Sequence, residues 1–162
     1  MEQAKRMAAS FADAFPGTPS PDTLLFLGNT GLGKSYLLNC IANRVLSNGE
    51  AAVKKATAFQ MFQDVLRGIR AGEDGAAAYI QPKLLLIDDL GAEPEMQNII
   101  REYLFNILNE RREAGRALVI ASNLDDRQLL ARYGDRIFSR LFDAAHSRAL
   151  LLKGRSLRLS ER

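Results

Sequence analysis

Eight consecutive residues, Gly28-Asn29-Thr30-Gly31-Leu32-Gly33-Lys34-Ser35, have the types and spacing needed to hold a chain of phosphates. They match the pattern G-x-x-x-x-G-K-[ST] in full. Glycines let backbone N–H groups converge on an anion without a Cβ in the way. A helix that starts at the end of the loop adds the positive end of its dipole. Lys34 would then reach the β- and γ-phosphates, and the Ser35 hydroxyl would ligate Mg²⁺.

Phosphoryl transfer also needs a carboxylate near the metal and a group that positions the attacking water. The run Leu84-Leu85-Leu86-Ile87-Asp88-Asp89 supplies both at the end of an apolar segment. Asp88 would hold the Mg²⁺ shell and Asp89 would polarise the water. Ala121-Ser122-Asn123 ends a third apolar run. A neutral amide there suits either a γ-phosphate contact or a simple turn. Arg136 and Arg140 stand four residues apart and share one helix face. They read either as an exposed basic face or as cations offered to the γ-phosphate of a neighbouring subunit.

These residues need a scaffold of strands and helices in the right order. TLLFLG (23–28), LLLIDD (84–89) and ALVIAS (117–122) are unbroken apolar runs of strand length, as expected for strands buried on both faces. AAVKKAT (51–57) and ALLLKG (149–154) are weaker strand candidates. Leu37, Leu38, Ile41 and Val45 mark a helix directly after the phosphate loop. Phe59, Phe62, Val65, Leu66 and Ile69 mark a second, with Phe59 and Phe62 expected in the core. The longest helix is expected over 95–114, ended by Gly115. Shorter helices are expected at 2–14, 126–132 and 134–144. Strands alternating with helices predict an α/β fold with a mostly parallel five-stranded sheet flanked by helices.

Composition narrows the function classes. The 162 residues are 47% hydrophobic and 25% charged, ordinary values for one globular domain. One cysteine, Cys40, excludes an intramolecular disulfide, and one histidine, His146, excludes a two-His metal motif. Cys40 is expected to pack as a small apolar residue. No window approaches the roughly 18 uninterrupted apolar residues of a membrane span, and the N-terminus lacks the apolar region of a secretory signal. A cytoplasmic location is expected. The net charge of +3 is uneven: residues 1–100 carry 9 basic and 11 acidic side chains, and residues 101–162 carry 13 and 8.

The stretches GNTGLGKSYLLNCIAN (28–43), LLLIDDLGAE (84–93), LNERREAGRALVIASNL (108–124) and YGDRIFSRLFD (133–143) together resemble an AAA+ ATPase of the P-loop NTPase class. Within it, they resemble the DnaC/DnaI-type replicative helicase loaders. The resemblance implies that Gly28 to Ser35 form the Walker A motif and Asp88–Asp89 the Walker B motif. It makes Asn123 sensor 1, and Arg140, with Arg136 beside it, the arginine finger through which subunits self-assemble. It further implies ATP and Mg²⁺ as cofactors, and the replicative DNA helicase and single-stranded DNA as partners. Related initiators contact single-stranded DNA through a segment that would here fall within 54–83, with Lys54, Lys55, Arg67, Arg70, Tyr79 and Lys83.

Three departures qualify the expectation. Many relatives have Glu where this chain has Asp89, which points to slow hydrolysis. Residues 1–162 read as a single ATPase domain without the loaders' N-terminal helicase-binding region. A full helical lid is not expected, although KGRSLR (153–158) resembles the family's C-terminal end, with Arg155 and Arg158 either near phosphate or DNA or simply solvated. An IstB-type transposition helper shares the same motifs and is the nearest alternative. A small P-loop kinase would need an acceptor pocket and an arginine-bearing lid that the sequence does not offer. A nucleotide-dependent binding module with negligible turnover is the third.

Overall fold

The computed structural model describes residues 1–50, 52–94 and 98–154. Five strands form one all-parallel sheet: β1 (Thr23–Leu27), β2 (Val53–Thr57), β3 (Leu84–Leu90), β4 (Ala117–Ser122) and β5 (Ser147–Leu151). Their spatial order is β2-β3-β4-β1-β5. The apolar runs explain which strands are central. Every residue of β1 and β4 is buried, whereas β2 at one edge has no buried residue and β5 at the other has three exposed ones.

Alternate side chains of the sheet feed two cores. Leu24, Phe26, Leu84, Leu86, Val119 and Ala121 face helices α1 (Glu2–Asp13) and α2 (Lys34–Ser47). Leu25, Leu27, Leu85, Ile87, Leu118 and Ile120 face the other layer. That layer holds α3 (Ala58–Ala71), α4 (Ala77–Ile80), α5 (Asn98–Glu113), α6 (Asp126–Tyr133) and α7 (Asp135–Leu141). Each fully buried Leu or Phe contributes about 1.5–3 kcal/mol relative to an exposed one, so the sheet is the stable frame.

At the end of the sheet where β3 and β4 begin, the largest fully buried side chain is a cation, Arg111 of α5. It donates to the carbonyls of Tyr79 (2.8 Å), Ile80 (3.1 Å), Pro82 (2.9 Å), Lys83 (3.4 Å) and Ala117 (2.5 Å). It therefore satisfies the buried backbone of the turn that enters β3. Burial, with the nearby Arg116 charge, lowers its pKa to about 9, so it stays charged at neutral pH.

Several expectations change. The sequence pattern does not mark the short helix α4, which starts at Ala77 after α3 has ended at Ala71; in the turn between them Asp74 accepts the backbone N–H groups of Ala76 and Ala77. Phe59 is 51% exposed and only Phe62 of that pair enters the core. Ile99, on α5, is exposed as well. Cys40 is exposed on α2 rather than packed inside. His146 has a partner that spacing could not reveal: its Nδ1 lies 3.1 Å from Asp22 Oδ2, 124 residues earlier. The last strand runs over 147–151 rather than 149–154, and among the described residues no helix follows it. Arg155 and Arg158 lie outside the described residues, as does the expected start of the long helix at 95. No helix among the described residues is long and apolar enough to cross a membrane.

Candidate functional site

Because β1 lies beside β4, and β4 beside β3, the segments leaving these three strands meet at the carboxyl end of the sheet. In an open parallel sheet that end is where ligands bind. The loop after β1 folds as a hollow because of its glycines. Gly28 has φ +130°, and a Cβ there would lie 2.4 Å from the Leu152 carbonyl oxygen. Gly33 has φ +83° and is the residue before α2. With glycine there, no side chain caps α2, so its first N–H groups face the hollow. Lys34 is only 5% exposed, and its Nζ donates to the carbonyls of Gly28 (2.5 Å) and Asn29 (2.8 Å). The ammonium is thus held against the loop's own backbone, at the mouth where phosphates would enter.

The Ser35 hydroxyl donates to Asp88 Oδ1 at 3.0 Å, across 53 residues of sequence. Asp88 is buried, and the same oxygen accepts the backbone N–H of Asp89 at 3.1 Å. Its other oxygen is 4.0 Å from Lys55 Nζ. Between the pairs Ile87–Ile120 and Leu90–Ser122, β3 has two residues where β4 has one. This is a bulge, and Asp89 takes φ +54° within it. A non-glycine residue in this region is strained and marks a position fixed by its surroundings. The bulge redirects Asp89 relative to a regular strand, in which Asp88 and Asp89 would point to opposite faces. Asp89 Oδ1 accepts from Asn123 Nδ2 at 3.3 Å, so the ends of β3 and β4 are joined through these side chains.

Thr30, Gly31, Gly33, Lys34, Ser35, Tyr36, Asp89 and Asn123 line a cleft of about 310 Å³. The sequence reading of Lys34, Ser35, Asp88, Asp89 and Asn123 thus falls on residues that the fold brings together. Tyr36, 65% exposed at the rim, was not singled out, because an aromatic one position after a phosphate loop carries no pattern of its own. The oxygens of Ser35 and Asp88 fit Mg²⁺, a hard cation usually held by one or two carboxylates with the rest of its shell from phosphates and water.

Arg136 and Arg140 do not line that cleft. Both lie over the Phe105 ring of α5, with guanidinium carbons 4.2 and 5.7 Å from its centre. Arg136 also pairs with Glu102 at 3.2 Å. Arg112 donates to the Arg140 carbonyl at 2.6 Å and fixes the end of α7. In the segment 54–83, Arg67 and Arg70 are exposed on α3. Tyr79 is fully buried and its hydroxyl donates to Asp64 at 2.5 Å, so its ring offers no face to a base.

Comparison with known proteins agrees with this geometry. The solved structure of a DnaC helicase loader superposes with a TM-score of 0.80 at 19% identity, over 94% of this chain and 89% of that one. Domain III of the replication initiation protein DnaA from Thermotoga maritima gives 0.77 at 26% identity, over 94% of this chain and 62% of that one. A replication initiator DnaA bound to AMPPCP and single-stranded DNA gives 0.72 at 22% identity, over 94% of this chain. The chain spans about half, 48%, of that initiator's length. The fold is that of a P-loop NTPase of the AAA+ type. The family model for the bacterial DnaA ATPase domain matches residues 1–145, so the chain belongs to the family of bacterial DnaA ATPase domains.

Proposed function

We propose that this chain binds and hydrolyses ATP as the AAA+ module of a DNA-replication helicase loader. The observation that carries the reading is the convergence of Lys34, Ser35, Asp89 and Asn123 on one cleft, with Asp88 buried behind it and hydrogen-bonded to Ser35. When ATP enters, Lys34 exchanges its loop carbonyls for the β- and γ-phosphates, and the loop's N–H groups cradle them. Ser35 and Asp88 would hold Mg²⁺, which would supply charge neutralisation at the phosphates. Asp89 orients and polarises the attacking water, and Asn123 holds Asp89 in place while facing the γ-phosphate. The shorter Asp89 side chain makes hydrolysis slow.

Arg140, with Arg136 beside it, lies outside its own cleft, as a cation given to a neighbour's γ-phosphate must. ATP binding then orders neighbouring subunits, and hydrolysis releases them. Likeness to a DnaC helicase loader across most of that protein's length supports a replicative helicase as partner. Exposed Arg67 and Arg70 supply phosphate contacts to single-stranded DNA, and a cytoplasmic location follows from that work.

The test is ATP turnover with and without single-stranded DNA, alongside nucleotide binding by calorimetry, for wild type and Arg140→Ala. Arg140→Ala is expected to bind ATP normally and to lose DNA-stimulated turnover by about 10³-fold. Full turnover by a strictly monomeric protein overturns the arginine-finger role. Co-purification of a transposase, rather than the host's replicative helicase, overturns the loader reading.

A further inference from the structure

The turn after Asp89 contains a buried carboxylate that the functional reading does not use. Glu93 is 5% exposed. Its Oε2 accepts the Gly91 backbone N–H at 2.9 Å, and its Oε1 accepts from Arg132 Nε at 3.2 Å and from the Tyr133 hydroxyl. Arg132 also donates to the carbonyls of Glu93 and Pro94. A paired carboxylate at this depth is often no more stabilising than a well-packed apolar side chain of similar volume. Stability is therefore a poor account of its presence, and what it fastens is the better one.

The turn is fastened on two sides. On one, Ser122 Oγ donates to the Leu90 carbonyl at 2.5 Å. Gly91 there packs so closely on Leu124 that a Cβ would lie 2.4 Å from its Cδ1. These contacts tie the acid-bearing end of β3 to Asn123 and its neighbours. On the other side, Glu93 ties the same turn to the last turn of α6. The next residue, Gly134, has φ +81° and leads directly into α7, the helix of Arg136 and Arg140. The Tyr133 hydroxyl, raised far above its ordinary pKa by burial and by the Glu93 charge, stays protonated and donating.

We infer that Glu93 is a positioning residue for hydrolysis, coupling the Asp89–Asn123 pair to the arginine-bearing helix α7 through Arg132 and Tyr133. It touches neither nucleotide nor water. Movement of Asp89 on nucleotide binding passes through the Glu93 clamp to α7, and a neighbour's pull on α7 passes back. This inference rests on the ATPase reading above.

The experiment compares Glu93→Gln and Tyr133→Phe with Glu50→Gln. Glu50 is another buried carboxylate, paired with Lys83 at 3.0 Å before β2 and remote from the cleft, so it reports what loss of a buried acid does to stability alone. Glu93→Gln is expected to keep ATP affinity and lose about 10–100-fold in kcat, the range typical of groups that orient a catalytic shell. Tyr133→Phe, which removes only a hydroxyl, moves kcat the same way by less. Glu50→Gln leaves kcat unchanged. In wild type, a non-hydrolysable ATP analogue slows hydrogen exchange of the α7 amides, and Glu93→Gln abolishes that slowing. Unchanged kcat in both Glu93→Gln and Tyr133→Phe, or intact α7 protection, overturns the inference. A wild-type protein that fails to bind nucleotide overturns the functional reading, and this inference with it.

Discussion

Lys34 and Arg111 are two buried cations at opposite ends of the same sheet, and both donate to main-chain carbonyls. They differ in what surrounds them. Lys34 opens onto a cleft of about 310 Å³, and its partners belong to a glycine-rich loop shaped around a hollow. Arg111 is 1% exposed, sealed among five carbonyls at the turn into β3 and the start of β4. The first arrangement leaves room for an anion in place of the carbonyls. The second leaves none, and its cation fixes the frame. Burial of a charge is thus no sign of function by itself; the adjoining space decides.

Four outcomes would break or sharpen that contrast. The largest is expected at Arg111. Arg111→Met strips the hydrogen bonds from several buried carbonyls and should cost about 3–5 kcal/mol in chemical denaturation. Intact stability would mean that Arg111 is not a staple. Lys34→Ala should leave the thermal midpoint nearly unchanged and weaken ATP binding by about 10³-fold, or about 4 kcal/mol. Undiminished binding by calorimetry would remove the phosphate-loop assignment and with it the contrast.

Tyr79→Phe tests the sealed end from another side, since the Tyr79 carbonyl is an Arg111 acceptor and its hydroxyl bonds Asp64. A loss of about 1.5 kcal/mol is expected at neutral pH, the worth of a hydrogen bond to a charged group. The Tyr79 hydroxyl, first among its neighbours, holds the Asp64 carboxyl below its ordinary pKa of 3.8. A depressed folded-state pKa stabilises above the unfolded value, and that stabilisation is lost as pH falls through the folded one. The stability gap between wild type and variant should therefore be constant above about pH 5 and close below 3.8. The smallest effect is expected at Asp125, whose side chain and that of Gln128 form a capping box at the start of α6. Asp125→Ala should cost about 1 kcal/mol with ATP affinity unchanged, although it lies two residues past Asn123. A lost affinity would extend the working site into α6.

The phosphate loop and the two acids were legible in sequence because each is local. A loop needs contiguous glycines, and a strand end needs an apolar run closed by charges. Asn123 was legible only as an option, since its amide gains meaning from Asp89, which lies 34 residues earlier. Glu93 was not legible at all. An acid shortly after two others reads as a solvated turn until Arg132 and Tyr133 arrive from α6. Phe59 and Cys40 failed the other way, because a helical stripe does not tell how wide the buried face is.

The sequence by itself determined the order of strands and helices, the hollow after β1 and the placement of carboxylates at the end of β3. Those follow from side-chain period, glycine geometry and the burial of apolar runs. Only the tertiary structure decided that β1, β4 and β3 lie side by side, which is what puts Ser35 3.0 Å from Asp88 and Asn123 against Asp89. It also decided which buried charges face space and which are sealed. The reason is that strand order and cavities arise from packing between residues far apart in the chain, and no local pattern encodes the distance between them.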